Sequence, residues 1–208
     1  MSQYQDQIDA LFTAELQFRL ATAVRLASTV GKQPLDVPVD WSHGQYRVRY
    51  QEIALRPDQG EYAAAALQRS ATYMLAMTAK DAIRVAVPDP KNSTDSSIRA
   101  AYQVARLIRN AFAHAPFGPV WSIDADCQNQ VFEVPGIIKL DTTDLNGKVF
   151  DWRAYGGPLA ILQFARYVRY ELLGDERKER AVVPLPRALY VQQGDLILER
   201  VDRDEEDR

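Results

Sequence analysis

The sequence predicts a mainly α-helical protein of about four long helices, with a small antiparallel β-rich insertion and a C-terminal hairpin. Apolar residues recur every three or four positions over several long segments, as they do along one face of a helix. Prolines and glycines stand at the ends of those segments, and between residues 117 and 152 short apolar runs alternate with turn residues. Since 47% of the 208 residues are hydrophobic, we expect a buried core, and we assign residues 1–208 to one domain.

The first two helices are predicted over residues 3–30 and about 60–87. Gly31 suits the C-terminal cap of the first, and Pro88 ends the second. Between them, Tyr46–Ile53 alternates apolar and polar residues, which predicts a strand in a surface arm. The apolar residues expected to bury the first helix are Ile8, Leu11, Phe12, Leu16, Leu20, Val24 and Ala27.

The third helix is predicted over about residues 98–115, with N-capping residues at Asp95–Ser97 and a stop at Pro116. The β-rich stretch follows over about residues 117–152. It contains two turn signals, Pro135-Gly136 and Asn146-Gly147, which favour hairpins. We therefore expect this stretch to decorate the helical domain.

The C-terminal part begins with Gly156-Gly157-Pro158, which opens a fourth helix because proline suits the first helical position. Leu189–Val191 and Leu196–Leu198, joined around Gly194-Asp195, predict a small hairpin. A charged tail covers about residues 200–208.

Composition excludes several classes of protein. The net charge of −3 argues against a surface covered in positive charge, although it allows a local basic groove. The single cysteine, Cys127, excludes an intramolecular disulfide and indicates a reducing compartment, so we expect a cytoplasmic protein. We find no signal peptide and no apolar run that could span a membrane. Metal-ligand spacing is absent, so we expect neither a metal nor a cofactor.

The third helix carries an unusual polar side. At roughly 100° per residue, its core side consists of Ala101, Val104, Ala105, Ile108, Phe112 and Ala115. The opposite side consists of Arg99, Gln103, Arg106, Asn110 and His114, with Arg109 on the flank. No acid occurs between Arg99 and Pro119, whereas solvated helix faces usually mix both signs. An acid-free face suits a phosphate or another anion, so we expect Arg99, Gln103 and Arg106 to bind such a group.

The segment Arg109-Asn110-Ala111-Phe112-Ala113-His114 resembles the motif of HEPN proteins: arginine, a polar residue, three more residues, then histidine. HEPN proteins are bundles of four or five helices with this motif near the end of the third or fourth, and the order here is similar over roughly residues 1–175. The resemblance implies a metal-independent endoribonuclease of the toxin or defence type, whose dimer brings both motifs to one site. It also makes a nucleotidyltransferase-type antitoxin a candidate partner.

The motif residues suit that chemistry. A neutral imidazole at His114 can exchange protons near neutral pH, and Arg109 can hold the phosphate and its growing charge. Asn110 would orient the ring or the phosphate. However, residues five apart on a regular helix point about 140° away from each other. Either the helix unwinds near Ala113, or the arginine of the partner subunit completes the site.

Other interpretations stay open. A HEPN-like domain can lack catalysis and only bind nucleotide or RNA, or another protein. In an unrelated helical protein, His114 would simply stabilise the last carbonyls of its helix. The second histidine, His43, lies in Asp40-Trp41-Ser42-His43-Gly44 and is interpreted as a turn residue.

Overall fold

Four α-helices carry most of the regular structure in the described part of the chain: α1 (Gln5–Thr29), α2 (Pro57–Ala86), α3 (Ser96–Ala113) and α4 (Gly157–Tyr167). A π-helical turn over Val168–Leu172 continues α4. The mainly helical class is therefore confirmed, and all four helices lie where the sequence predicts them. In the described residues, no helix has the length and apolar character needed to cross a membrane.

The computed structural model describes residues 3–30, 40–43, 45–49, 55–176, 188–193 and 196–201. The predicted cap at Gly31, the end of the predicted arm at residues 50–53, the turn at 194–195 and the tail from 202 lie outside these residues. Contacts divide the chain into two compact units, Met1–Asp175 and Glu176–Arg208, where the sequence predicts one domain.

Three antiparallel strand pairs accompany the helices. They are β1 (Asp40–His43) with β2 (Tyr46–Arg49), β3 (Val131–Val134) with β4 (Ile138–Asp141), and β5 (Ala188–Gln193) with β6 (Leu196–Val201). The C-terminal hairpin and the Pro135-Gly136 turn are confirmed, and Gly136 has the positive φ of +72° that favours glycine. The stretch 117–152 contains less strand than predicted, because Val120 forms only an isolated bridge with Val149.

Local chemistry explains the helix ends. The Asp95 carboxylate accepts hydrogen bonds from the backbone N–H groups of Ser97 and Ile98, at 2.8 and 3.2 Å, and so caps α3. Pro57 lies in the first turn of α2, where its missing N–H costs nothing. Gly156 precedes α4 with φ at +101°, and an added Cβ there would lie 3.1 Å from the Ala160 Cβ.

Helix α2 contacts both α1 and α3, and apolar residues from all three form one core with α4 and the β3–β4 hairpin. An aromatic cluster closes this core beneath the end of α3. The Phe112 and Phe150 rings lie 4.6 Å apart, and the Trp121 and Phe150 rings lie 4.9 Å apart. Aromatic pairs at such distances are favourable beyond their buried area, so this cluster fixes the end of α3 against the chain that returns past it.

Helix α1 buries a face that the periodicity identifies only in part. Ile8, Leu11 and Val24 are buried as predicted. Leu16 and Leu20 are 45% and 65% exposed, so the expectation that they belong to the core is wrong. The helix carries apolar residues on opposite sides, and spacing by itself does not indicate which side meets α2.

Candidate functional site

The site predicted from the sequence lies where α3 ends. The last helical residue is Ala113, and His114 follows as the C-cap with φ −104° and ψ −21°. The His114 side chain is exposed and has no hydrogen-bond partner among the described residues. The chain then turns back, since the Val120 N–H donates to the Ala111 carbonyl at 3.2 Å. His114 therefore lies in a fixed turn, and its imidazole forms no hydrogen bond with the described residues.

Asn110 has a fixed amide orientation. Its Oδ1 accepts a hydrogen bond from Arg109 Nη1 at 3.4 Å, and its Nδ2 donates to Asp124 Oδ2 at 3.0 Å. No carboxylate in the described part of the chain pairs with Arg109. The positive charge of the Arg109 guanidinium is thus not balanced by a carboxylate there. Arg109 contacts Asn110, and Asn110 lies about one helical turn before His114.

Arg106 has a different environment. Its guanidinium pairs with Asp124 and with Asp126, the latter at 3.1 Å, and donates to Gln103 Oε1 at 3.0 Å. Lys91 Nζ also lies 2.7 Å from Asp126. These two basic and two acidic groups balance, so the cluster carries no net charge.

The titration behaviour of this cluster follows from its contacts. Burial lowers the pKa of Arg106, but the hydrogen bonds from its guanidinium to Asp126 and Asp124 more than offset this and raise the pKa above its usual value. Hydrogen bonds from Arg106 and Lys91 hold the pKa of Asp126 well below its ordinary range. Both groups therefore stay charged near neutral pH.

The expectation of an acid-free face on α3 is wrong for the folded protein. Asp124 is the N-cap of a short 3-10 turn, Ala125–Cys127, and Asp126 lies within it, which brings both acids to Arg106. Strand β3 also contacts α3, and Gln103 is only 5% exposed. Two of the three predicted phosphate ligands, Arg106 and Gln103, are thus engaged inside the protein.

Other predicted positions on α3 divide between surface and core. Arg99 is exposed, and its Nη1 donates to the Ser93 carbonyl at 2.8 Å, so its contact with RNA stays a prediction. Ala101, Val104, Ala105, Ile108 and Phe112 are buried as predicted. Ala115 is exposed because it lies past the end of the helix.

A cavity of about 200 Å³ lies beside Asn110 and His114. Val120, Trp121 and Ser122 line another part of it, and the Asn146-Gly147 turn also contributes to the lining. The Asn146 Oδ1 accepts the Ile123 N–H at 2.9 Å, which holds this turn in place. The cavity therefore joins the end of α3 to the turn that the sequence predicts at Asn146-Gly147.

A larger cavity of about 520 Å³ lies between the β3–β4 hairpin and the start of α4. Its lining holds two cations and two carboxylates: Lys139, Arg153, Glu133 and Asp141. Lys139 lies 3.6 Å from Glu133, and Arg153 lies 2.6 Å from Asp151 outside the lining. Tyr155 also lines it, and burial raises the pKa of its hydroxyl well above the usual value. No unbalanced charge marks this cavity as a site for an ionic ligand.

Sequence reasoning located the motif residues but missed Asp124, Asp126 and Asn146. The two acids come from a 3-10 turn that no periodicity indicates. For Asn146, the sequence predicts only a turn. Cys127 is buried, and no group of three potential metal ligands occurs in the described residues.

The sequence and the structure were compared with known proteins. No family model matches the chain, and neither the curated proteins nor the solved structures gave a significant match.

Proposed function

We propose that this protein is a metal-independent endoribonuclease that acts as a dimer through Arg109, Asn110 and His114. The observation that carries the proposal is the position of His114. It is exposed and without a partner among the described residues, it follows directly after the end of α3, and it shares a cavity with Asn110. The resemblance of this segment to the HEPN motif supports the same reaction and the HEPN-like bundle.

The reaction needs a base, an acid and a cation. Neutral His114 takes the proton of the ribose 2′-hydroxyl, and the 2′-oxygen attacks the adjacent phosphorus. The bond from phosphorus to the 5′-oxygen breaks, and that oxygen takes a proton from the His114 imidazolium, which returns to its neutral form. The products are a 2′,3′-cyclic phosphate and a 5′-hydroxyl. DNA lacks the 2′-hydroxyl and is therefore not a substrate.

Arg109 is the cation best placed to stabilise the phosphate. Arg106 is neutralised by Asp124 and Asp126, whereas Arg109 pairs with no carboxylate in the described part of the chain. A guanidinium makes two-point contacts with phosphate oxygens. Its stabilising effect increases as negative charge develops on those oxygens in the transition state. Asn110 positions Arg109 through its Oδ1.

A second function, binding without cleavage, is favoured by one observation. Asp124 accepts a hydrogen bond from Asn110 and pairs with Arg106, so these two groups are engaged within the protein rather than free to act on a reacting phosphate. A HEPN-like domain of this kind would bind nucleotide, RNA or a protein such as a nucleotidyltransferase-type antitoxin. RNA affinity would then fall as salt rises, because phosphate contacts dominate it.

The first prediction concerns cleavage. Single-stranded labelled RNA incubated with the protein and EDTA should yield fragments that end in a 2′,3′-cyclic phosphate. His114→Ala should lower the rate roughly a hundredfold or more, as expected when a general base is lost. His43→Ala, the same change at the chain's other histidine, should leave the rate unchanged.

Three results would overturn the enzyme. These are equal degradation of RNA by the wild type and His114→Ala, cleavage of DNA of the same sequence, and a requirement of cleavage for added metal. If no RNA is cut but Arg109→Ala weakens RNA binding while His114→Ala does not, the function is binding. A cleavage gel and an RNA-binding titration of the wild type, His114→Ala and Arg109→Ala distinguish the enzyme from the binding protein.

A further inference from the structure

The cavity beside His114 is small for a ligand site. Its volume is about 200 Å³, below the roughly 300–1,000 Å³ of pockets that hold drug-sized molecules. It is open beside the imidazole of His114, and Trp121 lines it with its ring held 4.9 Å from that of Phe150. A cavity of this size next to a proposed cleavage site can take one ring system rather than a whole nucleotide.

One polar group of the cavity lining, the Asn146 amide, offers a ligand only a hydrogen-bond donor. The Asn146 Oδ1 is occupied by the Ile123 N–H, so its Nδ2 is the part of that amide left for a ligand. Trp121 also lines the cavity, but its Nε1–H is buried and out of reach of a ligand there. A ligand that presents an acceptor atom to the Asn146 Nδ2 therefore complements this lining.

The remaining unpaired side chains do not oppose that preference. Ser122 is exposed and forms no hydrogen bond within the described part of the chain, and a hydroxyl both donates and accepts. A neutral His114 does the same. Asn110 is already satisfied by Arg109 and Asp124. The discriminating group of the cavity is thus a donor, the Asn146 Nδ2.

We infer that this cavity binds one base of the RNA substrate and prefers a base with a keto oxygen, uracil or guanine. The inference rests on the proposed function and names the specificity of that site. Uracil O4 and guanine O6 accept hydrogen bonds, whereas cytosine and adenine carry an amino group at the corresponding position. An amino group facing the Asn146 Nδ2 would form no hydrogen bond with it, because both groups are donors.

The experiment has a binding arm and a cleavage arm. The 3′-monophosphates of uridine, guanosine, cytidine and adenosine are titrated into the full-length chain, and NMR measures their binding. RNAs that differ in one base at the cleavage position are then compared by cleavage rate. We expect the keto bases to be favoured about three- to tenfold in both arms, the worth of one net hydrogen bond.

Asn146→Asp is the decisive variant. The carboxylate retains an oxygen for the Ile123 N–H but replaces the donor by an acceptor, so the preference should reverse toward adenine and cytosine. Asn129→Asp makes the same chemical and charge change at an exposed residue outside the cavity lining and should leave the preference unchanged.

The outcomes separate this inference from the proposed function. Cleavage with no base preference, or with a preference that Asn146→Asp leaves unchanged, overturns the inference while the enzyme stands. Binding that favours keto bases and reverses in Asn146→Asp, without any cleavage, supports the inference and overturns the enzyme. Equal binding of all four nucleotides overturns the inference whatever the cleavage result.

Discussion

Asp124 determines which polar groups near the end of α3 are available to a ligand. Its carboxylate accepts a hydrogen bond from Asn110 and pairs with Arg106, so one acid both orients the motif amide and removes a cation from the surface. Asp126 then joins Arg106 to Lys91. The positive charge available at the end of α3 is consequently that of Arg109, not that of a continuous arginine face.

Asp126 gives a pH-dependent prediction. Because Arg106 and Lys91 hold the pKa of its carboxyl well below the ordinary value, its contribution to folding is present above the unfolded pKa, roughly 4. It is lost as pH falls from that value toward the lowered folded pKa. Since the Asp126 side chain is 38% exposed, solvent screening limits the contribution to about 1 kcal/mol or less.

Asp126→Asn should therefore destabilise the protein at pH 7 and have a smaller effect at pH 3. Urea unfolding at both values measures this. Asp144→Asn makes the same change at an exposed residue whose left-handed backbone, with φ at +54°, asparagine also tolerates. A loss of stability for Asp126→Asn that is equal at the two pH values would contradict the assignment.

The motif residues could be predicted from sequence because they share one helix and its end. Spacing places Asn110 and His114 one turn apart, and Pro116 ends the helix close to where it was expected. Asp124 and Asp126 could not be predicted, since their contacts with α3 depend on a 3-10 turn and on the path of the chain after Pro116. The absence of acids from the sequence of a helix does not predict whether acids from other segments contact that helix in the folded protein.

Helices α1 and α4 are joined by buried ions. Glu15 and Arg169 have side chains that are 1% exposed, and Arg169 Nη1 lies 2.9 Å from Glu15 Oε1. Arg169 Nε lies 3.0 Å from Asp175 Oδ2, and its guanidinium lies 5.1 Å from the centre of the Phe12 ring. Arg169 belongs to the π-helical turn that continues α4, so the ions fix that turn against α1.

Arg169→Met should destabilise the protein by about 3–5 kcal/mol, because Glu15 and Asp175 would remain buried without their cation. Arg166→Met is the matched control: Arg166 lies 3.7 Å from Glu15 but is 31% exposed, so its loss should cost roughly 1 kcal/mol or less. Urea unfolding of the three proteins provides the comparison. Equal losses would mean that the buried ions do not dominate this contact.

Helix periodicity predicted where these elements begin and end better than which sides they bury. Caps and prolines act locally, so the bounds of α3 and α4 follow from the sequence. Burial depends on neighbours: β3 covers part of the polar side of α3, and α2 leaves Leu16 and Leu20 of α1 exposed. Glu15 lies on the apolar face of α1 because its partner comes from α4's continuation, far along the chain.

The chain as a whole has a net charge of −3 and divides near residue 176. The charged run Asp175–Arg180 lies at this division, and the assignment of residues 1–208 to one domain stays a prediction. Within the unit Met1–Asp175, the proposed site has one Arg109 and one His114. A regular helix directs these two side chains about 140° apart, so the arginine of one subunit is paired with the histidine of the other, which is why the proposed reaction is assigned to a dimer.

The dimer predicts a specific complementation. If the arginine and the histidine of one site come from different subunits, Arg109→Ala and His114→Ala proteins should each be inactive, while a mixture that exchanges subunits should recover part of the wild-type activity. One of the two sites of such a mixed dimer retains both groups. Sedimentation equilibrium first establishes that the protein is dimeric, and denaturation and refolding of the mixture ensures exchange.

The control for this experiment is a mixture of His114→Ala with the double variant Arg109→Ala/His114→Ala, which offers no intact histidine and should stay inactive. If the sedimentation shows a monomer, or if the mixed single variants remain as inactive as the control despite exchange, the composite site is excluded. Arg109 and His114 would then have to act within one chain. The end of α3 after Ala113 would have to supply that geometry, because a regular helix directs the two side chains about 140° apart.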